Sequence, residues 1–141
     1  MKRLKGKPVQ AVKRRSAEDE YVKRTMEQCQ LEIPDAIHTA RERRDETSLA
    51  KICDLSRSLW FAFEAHAGGS ELREDVSTLM RKCVDVTAEI INAANFEGKE
   101  LEIAKHYLER NRARLDWITT PDQEALRKKK AATLDLCYDP A

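Results

Sequence analysis

Residues 72–94 of the chain read LREDVSTLMRKCVDVTAEIINAA, and this stretch decides the fold class. Its apolar side chains recur every three or four residues, the spacing that places them on one face of an α-helix. Such a broad apolar face predicts a long helix that packs against neighbouring helices. The face consists of Leu72, Val76, Leu79, Cys83, Val86, Ile90 and Ala94, and it is widened by Met80, Thr87 and Ile91.

Apolar residues at helical spacing also occur on both sides of that stretch, in residues 22–33, 49–62 and 101–115. The composition agrees with this pattern. Charged residues make up 36% of the chain, which holds only 4 Gly and 4 Pro, a balance typical of long helices. The sequence therefore predicts several amphipathic helices and little or no sheet.

Helix boundaries are predicted from proline, glycine and capping residues. Pro34 predicts a break or sharp kink, because proline cannot donate the backbone hydrogen bond of a helix interior. The apolar pattern lapses over the charged residues 41–46, so we expect a loop or exposed turn there, with Ser48 as a new cap. Gly98 predicts the end of the helix quoted above. Thr120 predicts the start of a last helix, because a proline and a capping-box Gln follow it.

Residues 1–15 differ from the rest of the chain in charge. They contain seven basic residues and no acidic one, so all 25 acidic residues follow them. Because these residues include few apolar side chains that could pack against a core, we predict that they form a flexible basic tail. Residues 16–141 are long enough to bury one core. We therefore predict an all-α fold: an up-and-down bundle of four to five antiparallel helices in one domain, with a disordered basic N-terminal tail.

The sequence also carries expectations about location and cysteine chemistry. No window approaches the about 20 consecutive apolar residues of a membrane span, and no apolar secretory core follows the basic N terminus. We therefore expect a cytoplasmic protein without a membrane partner. The cysteines stand singly on apolar helical faces with no CxxC pair, which favours reduced, buried thiols. They are Cys29, Cys53, Cys83 and Cys137.

The sequence shows no motif that would assemble a reaction centre. It lacks a glycine-rich phosphate loop, an HExxH group and a GxSxG group. The histidines His38, His66 and His106 stand far apart, without metal-ligand spacing. We therefore expect no catalytic residue, no cofactor and no metal site, and a protein that is not an enzyme.

The most unusual segment contains Leu59, Trp60, Phe61 and Phe63. Successive helical residues point about 100° apart, so these side chains cannot all occupy one narrow core stripe. Either two adjacent helices of the bundle cover them, or they form an interface anchored by Trp60 or Phe61. We predict a non-catalytic interaction protein, such as an adaptor, chaperone, inhibitor or assembly factor, that binds a protein partner, with a homo-oligomer as a further expectation.

The alternative function is association with nucleic acid through phosphate contacts, which need no defined fold before the partner arrives. Against it, the body of the chain is acidic and aromatic residues are not interleaved with the bases. The predicted contacts are the tail residues Lys2, Arg3, Lys5, Lys7, Lys13, Arg14 and Arg15, and a second cluster of Arg127, Lys128, Lys129 and Lys130.

The chain also resembles a known family in the order of several short landmarks. They are Glu20-Tyr21, Ser56-Arg57-Ser58-Leu59-Trp60, Leu72-Arg73 and Asn111-Arg112. This order resembles that of the FlaF family of flagellar regulators, and the likeness covers most of the chain after the tail. The resemblance implies a small helical protein that binds flagellin, which is a minor alternative function here. Ser56 stands where the family usually has Asn.

Overall fold

A computed structural model describes residues 7–65, 70–120 and 136–139 of the chain. These residues contain four α-helices and no β-strand, so the predicted all-α class is confirmed for them. The helices pack as a bundle in which α2 contacts the other three, and α3 also contacts α1 and α4. They are α1 (Lys7–Arg43), α2 (Glu46–Ala65), α3 (Ser70–Ala93) and α4 (Gly98–Thr119).

Ion pairs between helices give the relative directions of the first three. The Lys51 ammonium near the start of α2 lies 3.2 Å from the Glu32 carboxylate in the second half of α1, so α2 runs back along α1. The Arg41 guanidinium near the end of α1 donates to both Glu89 carboxylate oxygens near the end of α3, at 2.9 and 3.0 Å. These contacts fit the predicted up-and-down arrangement.

The interior of the bundle is formed by the apolar stripes that the sequence shows. Leu79 is 8% exposed, and the buried stripe residues given below are covered at least as deeply, whereas Leu72 and Ala94, at the two ends of the residue 72–94 stripe, are only partly buried. Burial of one aliphatic side chain contributes about 1.5–3 kcal/mol to the free energy of unfolding. The burial of these side chains is therefore the main contribution that holds the helices together. The buried stripe residues are Val22, Met26, Cys29, Ile33, Ile52, Leu55, Leu59, Val76, Leu79, Cys83, Val86 and Ile90.

Of the two outcomes predicted at Pro34, the helix break is wrong, because α1 continues through this residue as one helix to Arg43, whereas the kink stays a prediction. Proline removes one backbone hydrogen bond from the helix. Ile33 and Ala36 on either side of it are buried in the core, and Pro34 itself is exposed. Packing of the buried face therefore keeps the helix continuous against the local cost of the proline.

The predicted turn between the first two helices is confirmed, but its cap is not the predicted one. Arg44 has a left-handed φ of 52°, and its amide donates to the carbonyl of Ala40 at 2.8 Å, which ends α1. Asp45 rather than Ser48 caps α2. Its Oδ1 accepts from the Ser48 amide at 2.9 Å and from the Ser48 hydroxyl at 2.6 Å. Ser48 is the third residue of α2, where free amides need such a partner.

We expect the Asp45→Ala variant to lose about 1 kcal/mol of the free energy of unfolding, the usual effect of removing a helix N-cap. Hydrogen bonds from the Ser48 side chain and backbone lower the pKa of Asp45 below its ordinary value. The cap therefore stabilises fully above that ordinary value, and its contribution is lost as the pH falls through the lowered pKa. Urea unfolding of both proteins at neutral pH and at an acidic pH well below the ordinary Asp pKa of about 3.9 measures this. An equal difference at the two pH values would contradict a capping role.

The boundary predicted at Gly98 is also wrong, because α3 ends earlier, at Ala93. Gly98 begins α4 instead, and its φ of 58° lies in the left-handed region that favours glycine. Glu97 precedes it in an extended conformation as the N-cap residue. Gly98 therefore lies at a helix boundary, as predicted, but it begins α4 and does not end α3.

Several predictions fall on other parts of the chain. Residues 121–135, where the last helix is predicted, lie outside the described residues, as do residues 1–6 of the predicted tail. The backbone of residues 7–15 belongs to α1, and the flexibility predicted for residues 1–15 stays a prediction. Within the described residues, no helix is both long enough and apolar enough to cross a membrane.

Candidate functional site

The structure divides the aromatic segment of α2 into buried and exposed members. Leu59, Trp60 and Phe63 are buried inside the bundle, whereas Phe61 is 38% exposed. The Trp60 ring meets Phe61 edge-on, with centroids 5.2 Å apart and an interplanar angle of 67°. It also meets Trp117 of α4 edge-on at 5.9 Å. Such pairs hold each other in fixed orientations, so Phe61 is a preorganised aromatic side chain at the surface.

The second tryptophan of this cluster joins α2 to α4. The Trp117 indole N–H donates a hydrogen bond to the Glu64 carboxylate near the end of α2. A buried indole normally needs such an acceptor. Trp60 and Trp117 thus connect the two helices, and of the four residues predicted to form an interface only Phe61 is exposed.

Arg114 forms the most unusual site in the bundle. Its side chain comes from α4 and is completely buried. One terminal nitrogen donates to the Cys53 carbonyl at 3.0 Å and the Ser56 hydroxyl at 2.8 Å, both on α2. The remaining donors face residues 136–139. Nε donates to the Leu136 carbonyl at 3.1 Å, and the other terminal nitrogen donates to an Asp139 carboxylate oxygen at 2.8 Å.

A second layer of polar side chains lies beside Arg114. The Ser56 hydroxyl lies 2.6 Å from the side-chain oxygen of Asn111, one turn before the arginine on α4. The Asn111 amide donates to the Thr87 hydroxyl on α3 at 3.3 Å, and Thr87 donates to the Cys83 carbonyl at 2.7 Å. All three hydrogen-bonding side chains are buried. Three helices therefore share one buried polar network that fixes their register.

Arg114 is not among the predicted site residues, although the sequence of α4 contains a signal for it. Within residues 101–115, where the sequence predicts the apolar face of this helix, Leu108 and Leu115 are only half-buried. The buried stripe of α4 runs instead at spacings of three and four and includes polar members, which a search for apolar periodicity passes over. It consists of Ala104, Tyr107, Asn111, Arg114 and Ile118.

The outer flank of α2 presents aromatic and charged side chains together. The Arg57 guanidinium lies 2.7 Å from Asp54 and 4.0 Å from the Asp139 carboxylate. Phe61 follows Arg57 by one helical turn, so Phe61 and residues 136–139 lie on the same flank. Tyr138 in that segment is 64% exposed. We call this surface, made of Arg57, Phe61 and Tyr138, the α2 flank.

The cysteines are free thiols, three of them buried and Cys137 half-buried. Burial raises the pKa of Cys29 to about 11, with a smaller contribution from the Glu32 carboxylate. Burial likewise raises the pKa of Cys53 and of Cys83 to about 12. These three thiols are therefore protonated at neutral pH and buried as predicted, whereas Cys137 is less buried than predicted and the reduced state stays a prediction.

Two of the histidines lie on the surface beside glutamate side chains of the same helix. His38 lies 2.8 Å from Glu42, and His106 lies 3.5 Å from Glu109, in both cases on the exposed surface of one helix. His66 lies outside the described residues. Within the part of the chain that the structure describes, no three His, Cys, Asp or Glu side chains come together as metal ligands.

Only some of the predicted nucleic-acid contacts belong to the described residues. The backbone of Lys7, Lys13, Arg14 and Arg15 lies in the first turns of α1, and nothing is described of their side chains. The cluster over residues 127–130 lies outside the described residues, as do Lys2, Arg3 and Lys5. This set of contacts stays a prediction.

Comparisons with known proteins give no match: the chain matches no model of a protein family, no curated protein and no solved structure. The ground for a functional proposal is therefore the geometry of the bundle itself.

Proposed function

We propose that the protein is a non-catalytic helical interaction protein that binds a protein partner through the α2 flank. The observation that carries the proposal is that the exposed Phe61 lies one helical turn from Arg57, whose guanidinium lies 4.0 Å from the Asp139 carboxylate, next in sequence to the exposed Tyr138. Aromatic residues and arginine are enriched at the energetic centres of protein interfaces. An adaptor, chaperone, inhibitor or assembly factor would use such a surface.

The packing beneath the flank supports this role. Phe61 packs against Trp60, and Trp60 packs against Trp117. The exposed Phe61 ring therefore loses little conformational freedom when a partner covers it. Preorganisation of this kind increases affinity because less side-chain entropy is lost on binding. Arg57 is also held in place by Asp54, which lies on the same helix.

Flagellin is a second candidate partner, on the ground of the FlaF resemblance. Two of the landmarks in that resemblance meet in the bundle, because the Ser56 hydroxyl on α2 lies 2.6 Å from the side-chain oxygen of Asn111 on α4. A family likeness carried by interior residues agrees with a shared helical bundle. The partner itself must be identified by experiment.

The test is co-purification from the native host with tagged wild-type protein, Phe61→Ser and Leu31→Ser. Leu31 on α1 is 74% exposed and provides the matched control, an apolar surface residue outside the α2 flank. We expect one protein to be retained by wild type and Leu31→Ser and lost by Phe61→Ser, with all three proteins equally helical by circular dichroism. Flagellin as that protein would support the FlaF-like role.

The nucleic-acid alternative predicts a different result, which can be measured with the same purified protein. If it holds, the wild type shifts the electrophoretic mobility of nucleic acid in a strongly salt-dependent way, and deletion of residues 2–15 abolishes the shift. A protein partner that binds Phe61→Ser as well as wild type would contradict the α2 flank as the binding surface.

A further inference from the structure

The five N–H donors of Arg114 are satisfied mainly from outside the four helices. A buried guanidinium needs acceptors for its donors, because an uncompensated charge in the interior is strongly unfavourable. Helix α2 supplies the Cys53 carbonyl and the Ser56 hydroxyl. Residues 136–139 supply the carbonyls of Leu136 and Tyr138, at 3.1 and 3.4 Å, and the Asp139 carboxylate at 2.8 Å.

The 136–139 segment is seated in the groove between α2 and α4 by its two ends. Leu136 is 3% exposed and belongs to the hydrophobic core cluster. Asp139 bonds Arg114 and also accepts from the Cys53 thiol at 3.2 Å. Between them, Tyr138 points to solvent with 64% of its side chain exposed. The groove thus recognises an apolar side chain at the first position and a carboxylate at the fourth.

We propose that the groove between α2 and α4 over Arg114 is an exchangeable peptide-binding site. Residues 136–139 occupy it within the same chain, and a partner protein displaces them with a segment in which a leucine-like residue is followed three positions later by Asp. The inference deepens the proposed function and rests on it in that the partner is a protein; that partner contacts Arg57 and Phe61 of the α2 flank and takes the place of the segment that carries Tyr138.

The chemistry of the groove favours exchange over an empty state. Two of the segment's contacts with Arg114 are main-chain carbonyls, which any peptide offers. A vacant groove would leave the guanidinium with acceptors only from α2 and would expose the apolar site of Leu136. A competing segment restores both contacts, so displacement costs far less than simple release. The 136–139 segment therefore controls access to the groove.

The test uses the full chain and a fluorescent peptide of residues 134–141 with Cys137→Ser. The protein variant Asp139→Ala weakens the internal segment and opens the groove, and Leu136→Ser removes its other anchor. Asp116→Ala, an exposed carboxylate on α4 close to Arg114, is the matched control. Fluorescence anisotropy measures the dissociation constant of the peptide for each protein, and circular dichroism checks that each is folded.

We expect the peptide to bind Asp139→Ala and Leu136→Ser about tenfold or more tightly than wild type or Asp116→Ala, because the internal segment no longer competes. The same peptide with Asp139→Ala should bind the opened proteins about tenfold or more weakly, since it lacks the charge-assisted hydrogen bond to Arg114. Alkylation of Cys53 by iodoacetamide, followed by mass spectrometry, should be faster in the opened proteins and slowed again by the peptide.

Absence of peptide binding to both opened proteins, or equal binding of the two peptides, would overturn the proposal. A mixed dimer of wild type and Asp139→Ala in size-exclusion chromatography would identify a second copy as the occupant and would overturn the assignment to a different partner. Loss of peptide binding together with an intact effect of Phe61→Ser on co-purification would reject the groove while leaving the α2 flank in place.

Discussion

Replacing Arg114 with alanine should lower the free energy of unfolding by about 3–5 kcal/mol, the usual result of removing one member of a buried ion pair. The substitution leaves the Asp139 carboxylate without its main partner and removes the donors that satisfy the Leu136 and Tyr138 carbonyls. It also leaves a cavity between α2 and α4. Urea unfolding followed by circular dichroism measures the loss.

The matched control for Arg114 is Arg112→Ala, on the same helix and exposed. It should change stability by no more than about 0.5 kcal/mol, as surface substitutions usually do. Because the Arg114 interaction is buried, added salt should leave the difference between the two variants nearly unchanged. Similar small losses for both would show that the guanidinium does not hold the 136–139 segment in solution.

The Trp60→Ala variant should lose about 3–5 kcal/mol, because the side chain is buried and its removal leaves a large cavity against Trp117. Phe61→Ala, at the next position, should lose only about 1–2 kcal/mol, because part of the ring is already in water. Thermal and urea unfolding of both variants provide the comparison.

The pair of aromatic variants separates interior packing from interface. Equal and small losses would mean that Trp60 is not an interior residue and would return it to the predicted interface. Weakened partner binding by Phe61→Ala, with a loss of stability clearly smaller than that of Trp60→Ala, is the pattern expected of a surface anchor.

The helices that pack on apolar side chains could be predicted from the sequence. In α3 and in the second half of α1, every buried position except Thr87 holds an apolar residue, so periodicity located most of the interior. Pro34 misled the prediction because its local effect is smaller than the packing of Ile33 and Ala36 beside it. Gly98 and Ser48 misled it by a few residues, because each marks a boundary without showing on which side the helix lies.

The site around Arg114 could not be predicted in the same way. An arginine is read as a surface residue by any scheme based on hydrophobicity. Its burial depends on acceptors that come from α2 and from residues 136–139, far away in the sequence. The aromatic segment was recognised as unusual, but its division into buried Trp60 and exposed Phe61 depends on where α4 lies. To predict either feature, one would have to know how the helices and residues 136–139 pack together.

The central claim, that this bundle works by binding a protein through the α2 flank, is tested most directly by one affinity. The dissociation constant of the co-purified partner should be measured by titration calorimetry for wild type, Leu31→Ser and Phe61→Ser. We predict equal values for the first two and a value about 30-fold or more higher for Phe61→Ser, as for loss of an interface anchor. Three equal dissociation constants would contradict the account.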